Sequence, residues 1–154
     1  MSGRVETRLA ELGIELPPVV PALAVYVPAV LIDGWVYTAG QLPLVDGELP
    51  YSGIVDVDVT VEEGAQCARI CALNGLAAIK SVVGNLDRVQ IVKVTGYVAC
   101  PPGSTAQPHV LNGASIVLGE ILGDAGVHAR SAVGVSALPI NAPVEVELIA
   151  RIRE

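Results

Sequence analysis

"HARSAVGVSALPINAPVEVELIAR", residues 128–151, sets one guanidinium at the head of a lane of very small side chains. Side chains alternate between the two faces of a strand. Arg130, Ala132, Gly134 and Ser136 therefore share one face, while Ser131, Val133, Val135 and Ala137 share the other. The small lane leaves empty volume beside a fixed positive charge, room for an anion. The valine face is expected to pack against helices. Strands are expected over 131–137 and 144–152, joined by "LPINAP".

If those strands form a simple hairpin centred near Ile140 and Asn141, Glu145 lies opposite Ser136. At about 3.3 Å per residue, Arg130 and Glu145 are then roughly 20 Å apart. On that geometry they meet only across a boundary between subunits. Each also has a plainer reading. Arg130 serves equally as a strand-end cation or ion-pair partner, and Glu145 and Glu147 as edge residues facing water.

The preceding sequence places these strands in an α+β order. A helical lead, "VETRLAELG", and a proline-rich arm occupy residues 1–24; the remaining residues, 25–154, read as one domain. "VYVPAVLI" and "WVYTAGQLPL" read as strands around the Asp33-Gly34 turn, a pairing that favours positive φ. Asp46-Gly47 marks a second turn. Thr60 and Glu63 form a T-x-x-E capping box that opens a long helix ending near Gly84. "RVQIVKVTGYVAC" follows as a strand, and residues 109–123 as a nearly chargeless second helix. The order ββ-α-β-α-ββ implies a mixed sheet with both helices on one face. Its other face needs cover from neighbouring subunits.

Composition points the same way. The 154 residues are 52% hydrophobic and only 16% charged, more apolar surface than so short a chain hides alone. The formal charge of −7 speaks against nucleic acid, which is held by basic patches. The N-terminal stretch lacks a signal-peptide core, and Pro17, Pro18, Pro21 and Pro28 exclude a membrane helix over 16–32. A soluble, cytoplasmic protein is expected.

Several chemistries find no support. Cys67, Cys71 and Cys100 lack zinc-ligand spacing and read as buried small residues, with a redox or metal pair at Cys67 and Cys71 the alternative. His109 and His128 make no metal site, and Ser131 has no evident His–Asp support. No G-x-S-x-G, P-loop or G-x-G-x-x-G occurs. Tyr26, Trp35, Tyr37 and Tyr51 are aromatics of the first hairpin region, ordinarily core. At Gly40-Gln41, a glycine ending a strand lets a ligand approach the backbone closely.

Three stretches together carry a family resemblance: "YVPAVLIDGWVYTAGQLPL" (26–44), "HVLNGAS" (109–115) and "ARSAVGVSALPINAPVEVELIA" (129–150). The chain resembles the RidA/YjgF reactive-intermediate deaminases, formerly the endoribonuclease L-PSP family, over roughly residues 20–152. Its longer lead looks like that of a bacterial subgroup. The resemblance implies a chorismate-mutase-like fold and a homotrimer with pockets between subunits. It implies hydrolysis of 2-imino or 2-enamino acids to 2-keto acids and ammonia, without cofactor or metal.

Arg130 would then bind the substrate carboxylate and Glu145 hold water. Tyr26 would close the pocket, Gly40 would offer its backbone, and Asn112 and Ala132 would lie beside the ligand. Ala39 and Ala132 depart from the family pattern, standing where many deaminases carry a hydroxyl residue and a cysteine. A trimer that binds a small carboxylate without turning it over is the alternative reading; ribonuclease activity is a weaker one.

Overall fold

A computed structural model describes residues 2–154. The N-terminal lead forms α1 (Arg4–Leu12), and the first hairpin forms β1 (Ala29–Ile32) and β2 (Trp35–Thr38). Then come α2 (Val61–Val83), β3 (Val89–Ala99), α3 (Gln107–Leu122), β4 (Ala129–Val135) and β5 (Val144–Ile152). The strands make one mixed sheet in the order β1-β2-β5-β3-β4, antiparallel except where β4 runs parallel to β3.

Local chemistry sets most of these boundaries. Asp33 and Gly34 both take positive φ, 49° and 79°, which matches the hairpin twist. Asp46 and Gly47 do the same in the Val45–Glu48 turn. Both halves of the Thr60 capping box form: the Glu63 amide donates to Thr60 Oγ1 at 3.1 Å, and the Thr60 amide to Glu63 Oε1 at 3.3 Å. Gly84 closes α2 at φ 79°. The lead is tied down as well. Asp87 caps α1 by accepting from the amides of Arg4 and Val5 at 2.8 and 2.7 Å, which sends Val5 and Leu9 into the main core.

Helices α2 and α3 lie side by side over one sheet face. Gly113 of α3 comes so close to the Ala65 backbone that a methyl group there has no room. Beneath them, Val144, Val146, Leu148 and Ala150 of β5 and Val94 and Val98 of β3 are fully buried. The alternate residues face away from the helices. On that side Val30, Ile32, Tyr37 and Val133 are exposed beside Thr95, Tyr97, Glu145 and Glu147.

Two expectations about the closing block are corrected. Strands β4 and β5 form no hairpin, because β3 lies between them. The β3–α3–β4 unit is a parallel crossover that lays β4 on the outer edge, and β5 fills the centre beside β2. Arg130 pairs with Val94, which pairs with Leu148, so Arg130 and Glu145 lie two strands and three residues apart. That amounts to roughly 14 Å rather than 20 Å.

The faces of β4 are also the reverse of those expected. Arg130, Ala132 and Gly134 share the helix face with Val94, Gly96 and Val98, whereas Val133 pairs with Tyr97 on the open face and is 42% exposed. The lane is small because Gln107 and Cys100 crowd it, and a side-chain carbon at Gly134 would collide with both. The crowding is at Gly134, which is itself exposed, while Arg130 and Ala132 are half-buried. The strand also starts at Ala129, earlier than expected, so Arg130 lies inside it.

Candidate functional site

The candidate residues fall into two groups on opposite faces of the sheet. The first lines a cavity of about 270 Å3 at the end of β5. One wall is the proline-rich arm and the segment that follows it, including Val20, Leu23, Tyr26 and Pro28; the other is Ala39, Gly40, Leu42, Leu44, Pro139 and Glu145. The wall is almost wholly apolar, with Glu145 as its charged member.

A β-bulge aims this wall. Tyr37 pairs with Ile149 but Gln41 pairs with Val146, so three residues, 38–40, oppose two, 147–148. Bulges of this kind bend a strand and redirect its residues. The Leu148 amide that loses its ladder partner donates instead to the buried Thr38 Oγ1 at 2.9 Å. Gly40 sits on the bulge, and the Glu145 carboxylate occupies the space where a side chain would begin. Burial first, and the nearby charge of Glu147 second, raise the Glu145 carboxyl above its usual value. Glu147 accepts a hydrogen bond from Tyr97 Oη at 2.9 Å, which raises the Tyr97 phenol in turn.

Asn74, fully buried on α2, supports the cavity from behind. Its Nδ2 donates to the carbonyls of Leu42 and Leu44 at 2.9 and 3.1 Å, and its Oδ1 has no partner among the described residues. The sequence carried a signal for it: an asparagine within the apolar run "ICALNGLAAI" must find partners or stay out of the core.

The second group lies at the edge of β4. Arg130 Nη1 donates to Asn112 Oδ1 at 2.9 Å and to Ser115 Oγ at 3.1 Å, and Nη2 donates to the Pro108 carbonyl at 3.2 Å. Pro108, Asn112 and Ser115 recur at i, i+4 and i+7, one stripe of α3. All three acceptors are neutral. No carboxylate among the described residues is within 4 Å of the guanidinium, so its charge is left uncompensated. Ala132 is two residues further along, against the core.

Within one chain, Tyr26, Gly40 and Glu145 therefore meet, and Arg130 meets Asn112, but the two groups do not meet each other. Sequence reasoning had not picked out Ser115, Asn74 or Tyr97.

Other candidates are quieter. The three cysteines are free and buried; burial pushes the Cys67 thiol up to about 11 and raises Cys71 as well. Such protonated thiols pack rather than react. Among the described residues no group of three or more His, Cys, Asp or Glu is arranged to hold a metal ion, and no helix is long and apolar enough to cross a membrane.

Comparison with known proteins fits this geometry. The curated protein TCP17 of Trypanosoma cruzi is 39% identical over 153 residues, covering 98% of this chain and 96% of its own. That match takes in the N-terminal lead, so the lead is not confined to bacteria. The crystal structure of Atu1372 from Agrobacterium tumefaciens, a protein of unknown function, superposes with a TM-score of 0.89 at 40% identity, over 97% of this chain and 92% of that one. A protein of Shewanella oneidensis MR-1, called a "putative endoribonuclease", gives 0.92 at 36% identity, over 96% and 99%. The pattern of the family described as "YjgF/chorismate_mutase-like, putative endoribonuclease" matches residues 6–152. By sequence and by superposition alike, the chain belongs to the YjgF/chorismate-mutase-like family.

Proposed function

We propose that this protein is a deaminase of small 2-imino and 2-enamino acids, working at pockets between the subunits of a trimer. One observation carries the reading: an uncompensated Arg130 and a half-buried Glu145 belong to two groups of candidate residues that do not meet within one chain. A ring in which one protomer's β4 edge faces the next protomer's cavity would join them. Such head-to-tail contacts close into cyclic assemblies, and the exposed Val30, Ile32, Tyr37 and Val133 give the open sheet face reason to be covered.

In the joined site, the Arg130 fork holds the substrate carboxylate through two oxygens. Glu145, ionised, takes a proton from water as the water oxygen bonds to the imine carbon. The C=N π pair passes to nitrogen, and Glu145 hands that nitrogen the proton taken from water, leaving a neutral carbinolamine. Glu145 then takes the hydroxyl proton and passes it to the nitrogen as the C–N bond breaks. The carbonyl forms, and ammonia leaves with the bond pair. Proximity and proton transfer supply the catalysis. Ala39 and Ala132 offer the ligand no polar contact, which shifts the burden of recognition to Arg130, Tyr26 and the backbone at Gly40.

RNA cleavage fits less well. A net charge of −7, with Glu145 in the cavity wall and the charge of Glu147 near it, repels phosphates.

Ammonia release from freshly generated 2-iminopropionate and 2-iminobutyrate tests the reaction. Mixed subunits test the split site. Arg130→Ala and Glu145→Gln protomers, each inactive, are unfolded together and refolded. About a quarter of the native turnover is expected, since random assembly pairs an intact Arg edge with an intact Glu cavity at one seam in four. No recovery in a mixed trimer would mean that both residues serve the same chain. Keto-acid binding without ammonia release would replace the deaminase with a carboxylate-binding trimer.

A further inference from the structure

Behind Arg130 runs a chain of hydrogen bonds that the proposed reaction does not use. His128 Nδ1 lies 2.6 Å from the Gly126 carbonyl, and His128 Nε2 lies 2.9 Å from Ser115 Oγ. A carbonyl oxygen only accepts, so Nδ1 carries the ring proton. In the neutral imidazole Nε2 is then an acceptor, and it takes the hydroxyl proton of Ser115. That fixes the direction of the hydroxyl. Its lone pairs are turned away from His128 and free to receive Arg130 Nη1 at 3.1 Å.

We infer that Ser115 and His128 are positioning residues that set the Arg130 guanidinium in the orientation needed to capture the substrate carboxylate. A serine hydroxyl rotates freely unless something holds its proton. Left free, it would present its hydrogen to the cation for part of the time, and Arg130 would keep only Asn112 and the Pro108 carbonyl. The backbone carbonyl of Gly126 fixes the imidazole, the imidazole fixes the hydroxyl, and the hydroxyl fixes the fork. Each link is a supporting bond of the kind that holds a binding group within a few tenths of an ångström. Ser115 and His128 are half-buried, and Asn112 is exposed, so the chain reaches from the core to the outer end of the guanidinium.

This inference rests on Arg130 being the carboxylate-binding group; it does not require turnover. Its test is binding of 2-ketobutyrate by calorimetry, alongside steady-state ammonia release. Arg130→Ala should lose measurable binding. Ser115→Ala and His128→Ala should each weaken Kd roughly tenfold, the effect of losing one hydrogen bond to a charged group. In catalysis the loss should fall on KM more than on kcat. His128→Gln places an amide oxygen where Nε2 was and should recover most of the affinity, which a merely structural role would not predict.

Unchanged Kd in Ser115→Ala, or equal weakening in the His128 Gln and Ala variants, overturns the inference. So does failure of the native protein to bind the keto acid. Intact binding with the expected pattern, but no ammonia release, sinks the deaminase and leaves the positioning chain standing.

Discussion

The carboxylate of Glu145 fills the space in front of the Gly40 α-carbon where any other residue would place its β-carbon. The bulge at residues 38–40 brings the two together, and glycine is required by proximity rather than by a positive φ. A methyl group here must evict Glu145 from the cavity wall. Gly40→Ala should therefore lower kcat/KM by at least tenfold, while over-packing costs about 1–3 kcal/mol of stability. Kinetics and denaturant unfolding of the same variant check both parts. Native turnover would show that Glu145 is free to act from elsewhere.

A pH profile follows from the surroundings of Glu145. Its carboxyl titrates above the usual 4.5, chiefly through burial and secondarily through the charge of Glu147. As a base it works ionised, so turnover should rise as pH climbs through the raised value. Glu147→Gln removes the like charge, and the acid limb should move to lower pH but stay above the usual carboxylate value, because burial persists. Stability runs the opposite way. The folded chain holds this proton more tightly than the unfolded chain, so the contribution is present below the unfolded value and lost as pH rises through the folded one. An acid limb that stays put in Glu147→Gln would assign it to another group.

Turns and caps were legible because each depends on a few adjacent residues. Asp33-Gly34, Asp46-Gly47 and the Thr60–Glu63 box needed no knowledge of the rest of the chain. The neighbour of a strand is another matter. A period of two assigns faces within β4 and β5, but not which strand lies beside them, and the assumed hairpin ignored the crossover that α3 demands. The reversed faces of β4 have the same cause: alternation alone turns the valines toward the helices, whereas Gly134 lies against Gln107 and Cys100 and Val133 pairs with Tyr97 on the open face. Of the residues singled out in the sequence, Tyr26, Gly40 and Glu145 line one cavity and Arg130 bonds Asn112. Ser115 was hidden inside a helix read only for its lack of charge, although its spacing from Pro108 and Asn112 marked a common stripe.

Asp87 holds the N-terminal lead. Its carboxylate accepts from the amides of Arg4 and Val5, and these bonds lower its pKa below the usual carboxylate range. A lowered folded value means that this stabilisation is present above the unfolded value and lost as pH falls through the folded one. Asp87→Ala should free α1, expose Val5 and Leu9, and lower Tm. Limited proteolysis should then cut within the first fourteen residues before the remainder. A variant with unchanged Tm and intact N-terminus would show that the apolar contacts of Val5 and Leu9 suffice.

Asn74 is the last link between core and cavity. Its Nδ2 satisfies the Leu42 and Leu44 carbonyls, which carry two residues of the cavity wall. Asn74→Leu leaves both carbonyls buried without a donor, at about 1–3 kcal/mol each. The segment has one way to relieve that cost, which is to lift away from α2 toward solvent. Cavity shape should therefore change together with stability: denaturant unfolding should show a loss of roughly 2–6 kcal/mol, and KM should rise more than kcat falls. Asn74→Asp replaces the donor with a carboxylate facing two carbonyl oxygens and should be worse than Leu at neutral pH. If Asn74→Leu kept both KM and stability, the loop would be held by the packing of Leu42 and Leu44 alone, and the buried amide would have no part in shaping the cavity.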